Sequence, residues 1–197
     1  SNNKNKMVKA VFLDRDGVIN EDVDHLHRKE DFAFIPRAPQ AIKLLNENGY
    51  TVIVITNQTT IARGICLEED VVRLNRHMTE LLSQQGAKID AVYYCPHHPD
   101  PEKAQIRKYN IDCECRKPKP GMIFQAQRDF QISDLSESYM IGDKTSDIKA
   151  GFLAGCKTIL VETGYGGSDN LYEVTPDYIA SDLYSAVSEV ILKQMEK

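Results

Sequence analysis

A chain of 197 residues is long enough to bury one large core and too short for two full domains. With 42% hydrophobic and 27% charged residues it falls outside the disordered and fibrous classes, and a formal net charge of -5 offers no broad basic surface for nucleic acid or anionic lipid. The chain reads as a folded monomer whose partner is a small molecule, with no nucleic acid and no membrane involved. It shows no apolar run long enough to span a bilayer and no signal-peptide core, so a cytoplasmic location is expected. Residues 1–6 are polar and read as a flexible N-terminal tail, and 7–197 as one domain.

In chain order, Val8 to Leu13 is a short apolar run that predicts a strand buried on both faces. The segment "PRAPQAIKLLNENG" places Ala38, Ile42 and Leu45 at helical spacing, with Gly49 as the stop. Tyr50 to Thr56, "YTVIVIT", is dense in β-branched residues and predicts a second strand. A helix over Glu68 to Gln85 follows from the recurrence of Val71, Leu74, Met78, Leu81 and Leu82. "DAVYYC" returns to strand, and the proline-rich stretch 96–120 predicts no regular element. Then come a helix over Met122 to Phe130, the strand "SYMIG", a helix over Asp147 to Ala154, the strand "KTILV", and a last helix over Asp182 to Gln194. Strands alternating with helices call for an α/β fold: a doubly wound parallel sheet covered on both faces.

Ligands of such sheets bind outside the carboxyl ends of the strands. Asp14 and Asp16 follow the first strand, Thr56 and Asn57 end the second, and Gly142 and Asp143 end a later one, so three polar clusters should meet on one rim. Each aspartate alone has an alternative role as a helix cap or turn former. Together, Asp14, Asp16 and Asp143 supply the hard oxygen ligands that Mg2+ prefers, and a cation would make paired carboxylates tolerable at the end of a buried strand. Two carboxylates in unequal surroundings can divide into nucleophile and acid–base, which suits phosphoryl transfer. Arg116 and Lys117 in "CRKPKPG", with the Thr56 hydroxyl, would hold the phosphoryl oxygens, although such cations beside prolines also occur as solvated loop charges.

A second constellation stands apart. Cys95 and His97, then Cys113 and Cys115, offer three thiolates and an imidazole, the set that closes a tetrahedral structural Zn2+ site; His98 is a rival ligand. Such a metal would staple a proline-rich loop insertion over 95–115 and so place Arg116 and Lys117, the next two residues. Chance clustering of thiols, or a zinc-loop interaction module without catalysis, are the alternatives. Cys66 and Cys156 read as packed residues.

The segments "LDRDGVIN", "TNQTTIARG", Lys117 before a helix and "IGDKTSDIKAG" resemble, in this order, the four motifs of the haloacid dehalogenase (HAD) superfamily of phosphatases. With "YYCPHHPD" and "CECRKPKPGM" they resemble more narrowly its branch acting on heptose bisphosphate and histidinol phosphate, and "IARG" before a long helix favours the heptose side. The resemblance implies a HAD-like Rossmannoid fold without a large cap, an aspartyl-phosphate on Asp14, and Asp16 as acid and then base. It implies Mg2+ held by Asp14, the backbone carbonyl of Asp16 and Asp143, with Thr56 and Lys117 on the phosphoryl group. Arg116 and Lys144 would lie near a small phosphorylated sugar, and Asp147 would orient Lys144 or a metal-bound water. Asn57, Gln58, Thr59, Asp22 and His25 are the expected substrate contacts. Two of these regions depart from the family pattern: Thr60 stands where a glycine is usual, and His25 where relatives carry tyrosine.

Overall fold

The computed structural model describes residues 7–197; the expected tail, 1–6, lies outside the described residues. Six strands form one parallel sheet: β1 (Ala10–Leu13), β2 (Thr51–Asn57), β3 (Ala91–Cys95), β4 (Tyr139–Gly142), β5 (Lys157–Val161) and β6 (Tyr178–Ala180), in the spatial order β3-β2-β1-β4-β5-β6. Every pairing is parallel, with Leu13 opposite both Val54 and Ile141. The chain therefore runs outward from β1 through β2 to β3 and then crosses back to lay β4 on the other side of β1. Strand order reverses between β1 and β4, and that is where an open α/β sheet leaves a crevice.

Alternation along the strands divides the core in two. Val11, Leu13, Val52, Val54, Ile141 and Ile159 face one layer, and Ala10, Phe12, Ile53, Ile55 and Met140 face the other. The first layer is covered by α1 (Ala38–Glu47), by Met78 and Leu82, and by the C-terminal helical segment; the second by Met122, Ile123 and Ala126, and by Ala150 and Ala154. A short α2 (Thr59–Ala62) precedes α3 (Glu68–Gln84), and α4 (Gly121–Phe130) and α5 (Thr145–Ala154) follow. The C-terminal segment is α6 (Leu183–Ser185), a wider π-helical turn (Ala186–Ile191) and α7 (Leu192–Met195).

Several features differ from the sequence reading: the expected last helix, Asp182 to Gln194, is interrupted by the π-helical turn, and three others stand out. β6 is a three-residue edge strand whose apolar triplet, Tyr178 to Ala180, is too short to stand out as a strand pattern. α2 is a single turn, below the length at which periodicity shows. The stretch 96–120, expected to lack regular structure, contains a 3-10 turn over Arg107–Tyr109.

Candidate active site

β1 delivers Asp14 to the rim, where its N–H donates to the Ile141 carbonyl of β4 at 3.1 Å. The chain then turns sharply: the Arg15 carbonyl accepts from Ile19 N at 2.9 Å, and Gly17 sits at φ +83°, a conformation glycine adopts without steric cost. Gly17 and Gly164 both pack on the Asp143 carboxylate, where an added Cβ on either would collide with it.

Lys117 is the hub of the floor. Its ammonium, 3% exposed, lies 2.9 Å from Asp14 Oδ1 and 2.7 Å from Asp147 Oδ1, and donates to the Ile55 carbonyl at 2.8 Å. Burial alone would lower its pKa, but the charges of Asp14 and Asp147 win and raise it. Asp147 also accepts from the Lys144 backbone N–H at 3.1 Å, capping α5, whose N-terminus faces the same space. Asp147 thus holds the main chain of Lys144 and the ammonium of Lys117.

Carboxylate oxygens of Asp14, Asp143 and Asp147 all lie within 4.8 Å of one another. Burial first, then the charges of Asp14 and Asp147, push Asp143 up to about 9, and its buried Oδ1 has no hydrogen-bond partner while Oδ2 accepts from Tyr165 N at 2.9 Å. Burial and Asp14 likewise push Asp147 up to about 6, against the pull of Lys117. Lys117, with the Lys144 ammonium also facing the cluster, still leaves three carboxylates short of balance by one charge. An octahedral Mg2+ with bonds of about 2.0–2.1 Å separates neighbouring ligand oxygens by about 2.9 Å and opposite ones by about 4.1 Å, so this cluster and its orphaned oxygen suit such an ion.

Asp16 stands apart from that cluster. Arg15 grips it with Nε on Oδ1 at 3.0 Å and Nη2 on Oδ2 at 3.2 Å, and Asn20 Nδ2 donates to Oδ1 at 2.9 Å. Burial would raise its pKa, but the Arg15 charge and these donors outweigh burial and lower it.

Asp14, Asp16, Thr56, Asn57, Thr59, Arg116, Lys117 and Lys144 border one cavity of about 370 Å3, joined by His98, Lys103, Ser146, Asp147 and Tyr172, among others. The side chains point differently from one another. Asn57 clasps the Lys117 peptide, its Nδ2 donating to the Lys117 carbonyl at 3.0 Å and its Oδ1 accepting from Lys117 N at 3.1 Å. Gln58 turns inward, 3% exposed, donating to Thr56 Oγ1 at 2.7 Å and accepting from Arg15 at 3.2 Å. Thr59 Oγ1 accepts from Arg116 at 3.0 Å. Asp22 lines a neighbouring acidic cavity with Glu21 and Asp24; burial, then the Asp16 charge, raises its pKa. His25 sits at φ 55° with its ring 3.5 Å from Asp24, away from the lining of the main cavity.

The second cluster is equally compact. Cys95 Sγ lies 2.9 Å from Cys115 Sγ and 3.5 Å from Cys113 Sγ, Cys115 and Cys113 are 3.4 Å apart, and His97 Nδ1 is 3.7 Å from Cys95 and 3.5 Å from Cys115. A tetrahedron with Zn–S bonds of about 2.3 Å has S···S edges of about 3.8 Å; the sulfurs here are closer than that, and it is the convergence of three thiols and an imidazole on one point that is compatible with zinc. His98 is not among them: its ring accepts from Asp100 N at 3.0 Å and faces the main cavity. Burial, then Arg116 and Lys103, push His98 down to about 4, so it is neutral at pH 7. Arg116 joins the two clusters, donating to the His97 carbonyl at 3.2 Å as well as to Thr59.

Sequence reasoning missed Arg15, Asn20 and Asn75. Arg15 is wholly buried, and nothing in a single sequence distinguishes a buried arginine inside a motif from a solvated one.

A HAD-hydrolase-like family model matches residues 114–186. A D-glycero-beta-D-manno-heptose-1,7-bisphosphate 7-phosphatase from Photorhabdus laumondii is 46% identical over 158 residues, 80% of this chain and 82% of the relative. A D-glycero-D-manno-heptose-1,7-bisphosphate 7-phosphatase from Chlorobaculum tepidum is 41% identical across 94% of this chain and 96% of its own length. Among solved structures, a D,D-heptose 1,7-bisphosphate phosphatase from B. bronchiseptica, complexed with magnesium and phosphate, superposes with a TM-score of 0.82 at 32% identity, covering 94% of this chain and 99% of its own. The chain belongs to the heptose-1,7-bisphosphate 7-phosphatase family of HAD-like phosphoric monoester hydrolases.

Proposed function

We propose that this chain removes the 7-phosphate of D-glycero-D-manno-heptose 1,7-bisphosphate through an aspartyl-phosphate on Asp14. The observation that carries the reading is the floor of the cavity, where Asp14 is held by the buried Lys117 ammonium beside an over-charged carboxylate cluster. Asp14 and Asp143, with the Asp16 carbonyl, would hold Mg2+, which when bound offsets phosphate charge and aligns the phosphoryl group. An Asp14 oxygen attacks phosphorus. The bond from phosphorus to the C7 oxygen breaks while Asp16, which must first take up a proton from solvent or substrate against the pull of Arg15, passes that proton to the leaving oxygen, and heptose 1-phosphate leaves. Asp16, again a carboxylate, takes a proton from water; the water oxygen attacks phosphorus, the bond to Asp14 breaks, and phosphate is released.

Thr56, Lys117 and Arg116 hold the phosphoryl oxygens. Asn57 fixes the Lys117 peptide and Gln58 fixes the Thr56 hydroxyl, while Thr59 and Lys144 line the cavity toward the sugar, and Asp22 and His25, expected there, stand outside its lining. Cys95, His97, Cys113 and Cys115 hold a structural Zn2+ that closes the loop delivering Arg116 and Lys117, chemistry suited to the reducing cytoplasm. Among the described residues, no helix is long and apolar enough to cross a membrane.

Phosphate release from a panel of heptose 1,7-bisphosphate, fructose 1,6-bisphosphate, histidinol phosphate and an aryl phosphate, with Mg2+ present, tests the reading. The heptose should give the highest kcat/KM. A panel led by histidinol phosphate would reassign the substrate and leave the chemistry standing.

A further inference from the structure

The Asp16 carboxylate is not free to choose its direction. Arg15, adjacent in sequence and wholly buried, presents a two-point fork to it, and two further guanidinium donors are taken up by other side chains. Arg15 Nη1 donates to Asn75 Oδ1 on α3 at 2.9 Å, and Nη2 to Gln58 Oε1 at 3.2 Å. Gln58 in turn donates to Thr56 Oγ1. A helix that contributes nothing to the cavity lining is thereby tied through one arginine to the carboxylate and, by way of Gln58, to the Thr56 hydroxyl.

From this geometry we propose that Arg15, braced by Asn75, is the positioning residue of the acid–base group Asp16. The inference rests on the phosphatase reading above. A planar guanidinium anchored at its far end fixes both the direction and the roll of the carboxylate, which a single ammonium cannot do. Asn75, 7% exposed, is the brace: without its oxygen, Arg15 Nη1 is buried without an acceptor and the fork loses its fixed plane. Proton transfer to a leaving alkoxide depends on this alignment, whereas an aryl phosphate, whose leaving group is stable as an anion, depends on it little.

The test compares Asn75→Leu and Asn75→Asp, similar in size to asparagine, with Arg15→Lys alongside, each measured on heptose bisphosphate and on an aryl phosphate. The readout is kcat/KM, which reports events up to formation of the phosphoenzyme, with thermal midpoints recorded to exclude unfolding. Asn75→Leu should lower kcat/KM on the sugar phosphate about ten- to a hundredfold, the scale of a catalytic group displaced by about an ångström, and on the aryl phosphate less than about threefold. The sugar loss should fall on kcat, with KM little changed. Asn75→Asp keeps the acceptor and should restore the sugar activity to within about threefold; Arg15→Lys should show the same leaving-group split as Asn75→Leu. Folded Asn75→Leu with equal losses on both substrates, or with none, overturns the proposal. A wild-type protein inactive on every phosphate would instead remove the reading beneath it.

Discussion

The ammonium of Lys117 lies 2.9 Å from Asp14 Oδ1 and 2.7 Å from Asp147 Oδ1, joining three residues from three parts of the chain in one buried contact. The loop after the cysteine cluster thus reaches the end of the first strand. Because all three groups are almost fully enclosed, the contact is essential to the floor of the site as well as to its chemistry.

Replacing Lys117 by Met would leave two buried carboxylates facing each other without a cation. Removing one partner of a buried pair costs about 3–5 kcal/mol. For a chain of this size that is a fall in thermal midpoint of about 6–20 °C, read by calorimetry or circular dichroism. Activity should fall by at least about a hundredfold at temperatures where the variant is folded.

Asp143 makes stability depend on pH. Its folded pKa, about 9, lies above the carboxylate value of 3.8, so between these limits the metal-free native state holds a proton that the unfolded chain releases. The stabilisation from this group is complete below about pH 4 and is lost as pH rises through about 9. Mg2+ should reverse the trend, since the ion takes the place of the proton and binds more tightly as pH rises. Thermal midpoints measured from pH 5 to 9 without divalent ions should fall less steeply in Asp143→Asn than in the wild type, and Mg2+ should raise the wild-type midpoint more at pH 8.5 than at pH 6. Parallel curves for the two proteins would count against this assignment.

How much of this was legible in the sequence depended on distance along the chain. The alternating β/α pattern fixed the parallel sheet, and the positions of Asp14, Thr56 and Asp143 at strand ends follow from that pattern. What side chains do once there was not legible. Gln58 and Asn57 sit in a motif that suggests ligand contact, yet Gln58 is turned inward by Arg15 and Thr56, and Asn57 is engaged by a peptide 60 residues away. Asp147 could be placed near the site, but its pairing with Lys117 depends on how the loop before α4 folds back. β6 escaped notice because three residues are too few for an apolar or alternating pattern to be read.

The two metal sites should separate chemically. EDTA should stop activity quickly and added Mg2+ should restore it, while metal analysis still reports about one zinc per chain, the occupancy of one closed four-ligand site. Replacing Cys113 and Cys115 together by Ser should remove the zinc and lower activity by releasing Arg116 and Lys117, with the carboxylate cluster unchanged. A zinc-free protein as purified, or a zinc-free double variant with full activity, would refute the proposed role of the loop.

The central claim is that Asp14 carries the phosphoryl group. Acid-quenching the enzyme during turnover of heptose 1,7-bisphosphate with Mg2+, digesting it and weighing the peptide that contains Asp14 tests this directly. The account predicts one added phosphoryl group on Asp14, absent in Asp14→Asn, which should fold normally and show no turnover. Unmodified Asp14 under conditions that trap phosphoenzyme on another residue, or near-normal turnover by Asp14→Asn, would contradict it.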